Sequence, residues 1–442
     1  MRLARTLDAI VATRVRWKFR PERRPEIARR AKQELVDLGP TFVKIGQYMS
    51  TRYDMFPEEL LAEFSTLQDD VDYFDISQIN FDGVKHLSNV SPEPIAAASL
   101  GQVHMCTYRD RECVVKVLRP NVIEQVENDI KNLLVITKLF EFINPVGSRD
   151  LTVFVNELES MLKMETNYVL EARNTKNFKK NFRDVDWVII PEVYYSTENI
   201  LVMEYVPSTK ITEASGYSGK SLAWAITKSQ IMQVLKTGFF HGDPHPGNVG
   251  VYKGKLVYYD FGMVSEISIK QKKTLLALLF AVTNENEEQI LAILNNLGIV
   301  SSDPTGLRTF VRFFLDYIKK NDPENVEELL AINNNPIKLS GSFFYLIRSF
   351  GLIEGVSKKL DPTYKSSETL QRYVEESDMI ENAMMLSVQN TFNDMTGVSY
   401  RLSNIEKRVK KSQKIESDRN LLLVFLLLLT IIENDWIIGL IR

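Results

Sequence analysis

The chain has 442 residues, enough to bury a large core and build two or three structural units. With 25% charged residues, 44% hydrophobic residues and a net charge of −3, nothing in the overall charge draws it to nucleic acid. Two cysteines, Cys106 and Cys113, rule out a disulfide framework and point to a reducing compartment, and four histidines leave no zinc constellation.

Residues 1–90 read as mostly helical, broken at Pro21, Pro25, Pro40 and Pro57. Residues 1–32 carry eleven Arg or Lys against three acids, without the apolar core or cleavage site of a secretory signal. Leu3, Leu7, Ile10 and Val11 recur at helical spacing among Arg2, Arg5, Arg14 and Arg16, which predicts a basic amphipathic helix; an organelle transit peptide is the competing reading. In Leu38-Gly-Pro-Thr-Phe-Val-Lys44-Ile-Gly46-Gln47, Pro40 suits a helix start, so Lys44 and Gln47 share one helical face.

From Pro94 to Val117 the pattern turns to strands. Val103–Tyr108 and Cys113–Leu118 are joined by the charged tip Arg109-Asp-Arg-Glu112, which sets the two cysteines on neighbouring strands as core thiols. A helix follows over 122–141, then one long helix from about Leu151 to Phe178. Val188–Ile190 and Ile200–Met203 read as strands, and Glu204-Tyr205-Val206-Pro207 as an extended linker. Beyond Ser221 the chain is mainly helical. Near its end Lys407, Arg408, Lys410, Lys411 and Lys414 precede the 12-residue apolar run Leu421–Ile432. That run is short of the roughly 20 residues a bilayer span needs, and lengthening it would bury Glu433, Asn434 and Asp435. A membrane-surface or partly inserted tail is expected, with a soluble core helix as the alternative.

One stretch carries chemistry. His241-Gly-Asp-Pro-His-Pro-Gly-Asn248-Val249 sets an Asp and an Asn five positions apart, and Asp260-Phe261-Gly262 follows a short apolar strand. Phosphoryl transfer needs this set: Asp243 beside the acceptor, and Asn248 and Asp260 supplying hard oxygens to Mg²⁺ on the phosphates. Pro244, Pro246 and Gly247 stiffen and bend the loop. Lys116, ending Cys113-Val-Val-Lys116, is placed to reach the α- and β-phosphates, paired with either Glu165 or Glu171. Lying six residues apart on one helix, those glutamates point in different directions, so both cannot meet Lys116. Ala96-Ala97-Ala98-Ser99-Leu100-Gly101-Gln102 stands where a kinase has its glycine-rich loop, and each Cβ there narrows the approach of phosphate. Adenine is expected near Met203–Val206, with Glu204 and Val206 at the linker.

Together these stretches resemble the UbiB/ADCK-type atypical kinases, which support ubiquinone and other prenylquinone synthesis, over about Leu38 to Ser265. The matching motifs are Lys44-x-Gly46-Gln47, the alanine loop into Gly101-Gln102-Val103, the Lys116 strand, Glu165-x-Asn167 with Glu171-Ala172, the His241–Asn248 stretch and Asp260-Phe-Gly262. The resemblance implies that the Lys44/Gln47 segment covers the cleft and hinders protein substrates, and that activity is an ATPase linked to membranes and lipids. One departure is Asn167, where the family has Asp.

The expectation is an α+β, two-lobed protein-kinase-like fold: a helical extension over 1–90, a sheet-bearing lobe over 91–207, a helical lobe over 208–400 and a tail over 401–442. The expected cofactors are ATP and Mg²⁺. The expected partners are nucleotide, membrane lipid or prenylquinone intermediates and quinone-biosynthesis proteins, at the cytoplasmic face of a membrane. A nucleotide-binding scaffold without phosphoryl transfer is the second reading.

Overall fold

The computed structural model describes residues 2–50, 52, 56–67, 73–143, 149–283, 286–296 and 341–365, with isolated positions at 308, 311, 312, 369, 372 and 373. The tail expected over 401–442 lies outside them. Two compact units divide the chain: Met1–Ser208 with Val257–Met263, and Thr209–Leu256 with the described residues from Val264 onward.

The first unit opens with four helices, α1 (Arg2–Phe19), α2 (Arg24–Leu38), α3 (Pro40–Met49) and α4 (Glu58–Ser65). Pro40 begins α3 as expected, where its missing N–H costs no helical bond. Gly46 lets α3 close on its neighbours: a Cβ there would sit 2.5 Å from Leu67 Cδ1 and 2.8 Å from Leu35 Cδ1. In α1, Leu3, Leu7 and Ile10 are half-buried rather than free, while Arg2 is locked to the fully buried Asp129.

An antiparallel sheet follows, in the order β1 (Leu87–Ser88), β3 (Gly101–Tyr108), β4 (Arg111–Leu118), β7 (Ile200–Glu204), β6 (Val193–Ser196), with β2 (Ala96–Ala97) also on β3. The β3–β4 turn is tighter than its sequence suggested. Only Arg109 and Asp110 form it, both at positive φ, while Arg111 and Glu112 stand opposite Tyr108 and Thr107. A two-residue turn of this hand matches the natural twist of the strands. Strand β6 escaped the sequence reading, its run being only four residues.

Alternation along β3 and β4 decides what each face does. Gln102, His104 and Cys106 stand opposite Val117, Val115 and Cys113, on the face covered by Phe74, Ile76, Ile79 and Phe81. Lys116 stands opposite Val103 and Leu201, on the other face. The cysteines are register partners and both buried, and burial raises both thiols, Cys106 to about 12.

After α5 (Val122–Ile143), the single long helix expected to Phe178 is two: α6 (Arg149–Glu165) and α7 (Tyr168–Asn181). Asn167 makes the break. Its backbone is extended and its side-chain oxygen accepts the Leu170 N–H at 3.0 Å, the N-cap role in which Asn is among the best residues. Strand β5 (Val188–Ile189) completes the expected elements before residue 208.

In the second unit, β8 (Thr209–Lys210) pairs with β10 (Val249–Tyr252), which turns at Lys253-Gly254, both at positive φ, into the start of β11 (Lys255–Tyr258), whose Val257 and Tyr258 belong to the first unit. Strand β9 (Phe239–His241) pairs with β12 (Val264–Glu266). Helices α8 (Gly219–Ile231), α9 (Ile269–Thr283), α10 (Glu287–Asn296) and α11 (Gly341–Leu360) belong to the same unit. A polar seam joins α8 to α11: Gln230 Nε2 donates to Ser349 Oγ at 2.8 Å, and Thr227 meets Ser357 at 3.3 Å.

Candidate active site

In the first unit, β4 presents Lys116, α7 presents Glu171, and the turn after β11 presents Asp260. Lys116 Nζ donates to Glu171 Oε1 at 2.5 Å and to Asp260 Oδ2 at 3.0 Å. The helix break explains which glutamate wins. With α7 restarting at Tyr168, Glu171 lies in its first turn and inside the unit, and Gly262 brings the Asp260 turn close, a Cβ there falling 3.9 Å from Glu171 Oε2. Glu171 Oε1 also accepts the Phe261 N–H at 3.3 Å, and Asn174 Nδ2 donates to the Phe261 carbonyl at 2.9 Å.

One ammonium therefore faces two carboxylates. Burial alone would favour a neutral Lys116, but Asp260 and Glu171 override it and hold the amine well above its ordinary value. Glu171 moves the other way from a simple ion pair. Its burial, then the Asp260 charge, push it up to about 7, more than Lys116 pulls it down. Tyr168 is raised by burial and by the Glu171 charge.

Glu165 is not brought to Lys116. It ends α6, where its carboxylate takes Lys44 of α3 at 2.8 Å. The same seam continues through Arg52 and Tyr48, both on Glu157, with Tyr48 stacked on Phe154 at 5.9 Å. Gln47 Nε2 donates to the Leu67 carbonyl at 2.8 Å.

The alanine loop is a tight turn: the Ala98 N–H donates to the Gly101 carbonyl at 2.8 Å. Ala96 and Ala97 form β2 and are exposed, while Ser99 is buried and does not cap a helix. At Gly101 a Cβ would sit 2.7 Å from the Tyr168 hydroxyl, so glycine is required there. Gln102 stands on the sheet face away from Lys116 and its amide is spent. It exchanges hydrogen bonds with the Phe74 backbone (3.1 and 2.9 Å) and meets His104 at 2.8 Å, so the expectation that it handles nucleotide gives way to a structural clamp. Burial lowers His104, keeping the ring neutral. Glu204 Oε2 accepts the Glu192 N–H at 3.0 Å, and the Val206 carbonyl accepts from Ser208 at 2.9 Å, so both fix the path of the chain after β7.

In the second unit the loop after β9 is held by its own side chains. His241 Nδ1 accepts the Asp243 N–H at 3.0 Å, and Asn248 Nδ2 donates to the Asp243 carbonyl at 3.0 Å. With its NH₂ so used, Asn248 turns its Oδ1 to no donor among the described residues. The Asp243 carboxylate accepts from Arg348 Nη2 of α11 at 2.9 Å, both side chains being nearly buried. Arg348 is the site residue the motifs did not reveal, lying 105 residues from its partner on a helix with no local signature.

In the first unit Asp260 offers a carboxylate oxygen of the kind Mg²⁺ takes, and in the second unit Asn248 offers an amide oxygen; no cluster of three His, Cys, Asp or Glu able to hold a metal occurs among the described residues. Mg²⁺ is commonly held in this way, by one or two carboxylates with phosphates and water completing the shell.

A family model for the ABC1 atypical kinase-like domain matches residues 67–294. The chain is 32% identical to the chloroplastic protein ACTIVITY OF BC1 COMPLEX KINASE 7 of Arabidopsis thaliana, over 88% of this chain and 61% of that one. It is 36% identical to an uncharacterized protein of Synechocystis sp., over 80% and 65%. With an uncharacterized protein from the hydrogenase 1 5′ region of Clostridium pasteurianum the identity is 33%, over 79% and 70%. The chain thus spans less than two thirds of the first two relatives. Its α+β fold is kinase-like, and the chain belongs to the ABC1 atypical kinase-like family.

Proposed function

We propose that the protein is a Mg²⁺–ATP-dependent atypical kinase or ATPase that serves prenylquinone metabolism, of ubiquinone or plastoquinone type, or related isoprenoid lipid metabolism, at a membrane surface. The observation that carries this reading is Lys116 held between Glu171 and Asp260. In this reading Lys116 neutralises phosphate, Asp260 and Asn248 hold Mg²⁺, and Asp243, steadied by Arg348, orients the acceptor or water. The metal supplies charge neutralisation on the transferring phosphoryl group; the side chains supply position.

The membrane part of the reading draws on α1, which exposes Val11, Val15 and Phe19 beside Lys18, a basic and apolar stripe suited to anionic lipid. No described helix is long and apolar enough to cross a membrane. We place the protein at the cytoplasmic face of a membrane or within an organelle. In the second reading, a nucleotide-binding scaffold, the Lys44–Glu165 tie keeps large acceptors away and the alanine loop slows chemistry.

ATP turnover with and without anionic liposomes tests the first reading in wild type, Asp243→Asn and Asp260→Asn. It expects liposome-stimulated hydrolysis in the wild type, lost in both variants. Background turnover in all three, with ATP still bound, would leave the scaffold.

A further inference from the structure

The alanine loop turns three consecutive carbonyls toward a single residue. Arg119, just past β4, donates its Nε–H to the Ser99 carbonyl at 2.8 Å and an Nη2–H to the Ala98 carbonyl at 3.3 Å. Its backbone N–H takes the Leu100 carbonyl at 2.9 Å. All the peptides are trans, so each N–H points opposite to the carbonyl before it. The N–H groups of Ser99 and Leu100 therefore face away from these donors.

Which side that is follows from the sheet. Arg119 lies over the Phe74 ring at 5.6 Å, and Phe74 covers the face opposite Lys116. The Ser99 and Leu100 amides are thus turned toward the face that carries Lys116. Neither N–H has an acceptor among the described residues, although both residues are buried. A buried backbone donor left without an acceptor is rare in folded proteins. From the Lys116 face, the Tyr168 hydroxyl closes on Gly101, so the loop is fixed on both sides.

A glycine-rich loop reaches a phosphate-cradling geometry through φ values that other residues avoid. This loop has no glycine before Gly101, and none of its residues takes a positive φ. Its amides must be aimed by something else. We propose that Arg119 is the positioning residue of the nucleotide site, holding the loop carbonyls so that the Ser99 and Leu100 N–H groups cradle a phosphate beside the Lys116 ammonium. The proposal rests on the reading that the chain binds ATP, and it deepens that reading. Arg119 acts through the loop and does not itself touch the phosphate.

The test is to titrate wild type, Arg119→Met and Arg119→Gln with Mg²⁺–ADP and with adenosine. Arg119→Met is expected to weaken ADP by roughly tenfold, the scale of one lost hydrogen bond involving a charged group, and to leave adenosine unchanged. Arg119→Gln keeps a carbonyl-directed donor without the charge and is expected to retain ADP affinity within about threefold, about half that free-energy scale. Wild-type ADP affinity in the Met variant overturns the proposal. So does equal loss in Met and Gln, which would make the charge itself the ligand, and so does a parallel loss of adenosine. Wild type that binds neither compound removes the nucleotide reading instead. Should Arg119→Met fail to fold, the wild-type protein labelled with ¹⁵N at Ser and Leu still decides. Mg²⁺–ADP must shift the Ser99 and Leu100 amide signals, and unmoved signals overturn the proposal.

Discussion

The two units each hold a carboxylate against a cation, and they do so by different means. Around Lys116 one buried ammonium meets two carboxylates, Glu171 from a helix and Asp260 from a turn. Around Asp243 a guanidinium, Arg348 of α11, meets the carboxylate at 2.9 Å. On the proposed function the tasks divide in the same way: the first set would receive Mg²⁺ and phosphate, and the second would hold a single oxygen in a fixed direction.

The contrast breaks most severely at Asp260. Asp260→Asn removes one of the two carboxylates on Lys116, and ATP turnover should fall by roughly 10²–10³-fold, as when one electrostatic stabiliser of a transition state is deleted; steady-state kinetics at saturating Mg²⁺ checks it. Next comes Lys116→Met, which leaves two carboxylates without their ammonium. The cost should be about 3 kcal/mol, the scale for breaking a buried pair, read as a fall in the midpoint of thermal unfolding. Lys116→Met/Glu171→Gln should recover much of it, since only one charge then remains.

A pH series sharpens the same point. Glu171 is raised in the folded protein from 4.5 to about 7, so its contribution to stability is complete below 4.5 and fades as the pH climbs through about 7. Lys116, also raised, loses its contribution only on the alkaline side, above 10.5. Between pH 5 and 7 the nucleotide-free wild type should therefore lose stability as pH rises, and Glu171→Gln should flatten that slope. A slope unchanged in the variant would assign it to other groups.

Smaller effects belong to the Asp243–Arg348 and Lys44–Glu165 pairs. Arg348→Met should lower kcat about tenfold, near 1.4 kcal/mol, with little change in KM, because Asp243 loses direction rather than the nucleotide losing a ligand; Arg348→Lys should restore part of it. Lys44→Ala should cost about 1 kcal/mol of stability, since the Lys44–Glu165 pair is still partly reached by solvent. Chemical denaturation measures that loss.

Much of this was legible in the sequence because the chemistry sits in short runs. The Lys116 strand, the His241–Asn248 loop and the Asp260 turn could be read at once, since each motif is local. What stayed hidden was set by longer-range or finer rules. Glu165 and Glu171 looked like two faces of one helix until Asn167 proved to be a cap that splits it, and a cap is a single-residue event inside a helical pattern. Gln102 was read with the phosphate loop, although two-residue alternation already put it on the face opposite Lys116. Arg348 had no such clue: a helical arginine with no neighbouring motif names its partner only in three dimensions.

The central claim is that Asp260, beside Lys116, receives a divalent cation with the nucleotide. Calorimetric titration of ADP with and without Mg²⁺, in wild type and Asp260→Asn, tests it directly. The wild type should bind ADP more tightly with Mg²⁺ present, and the variant should lose that gain while still binding ADP. An equal gain from Mg²⁺ in both proteins would contradict the account.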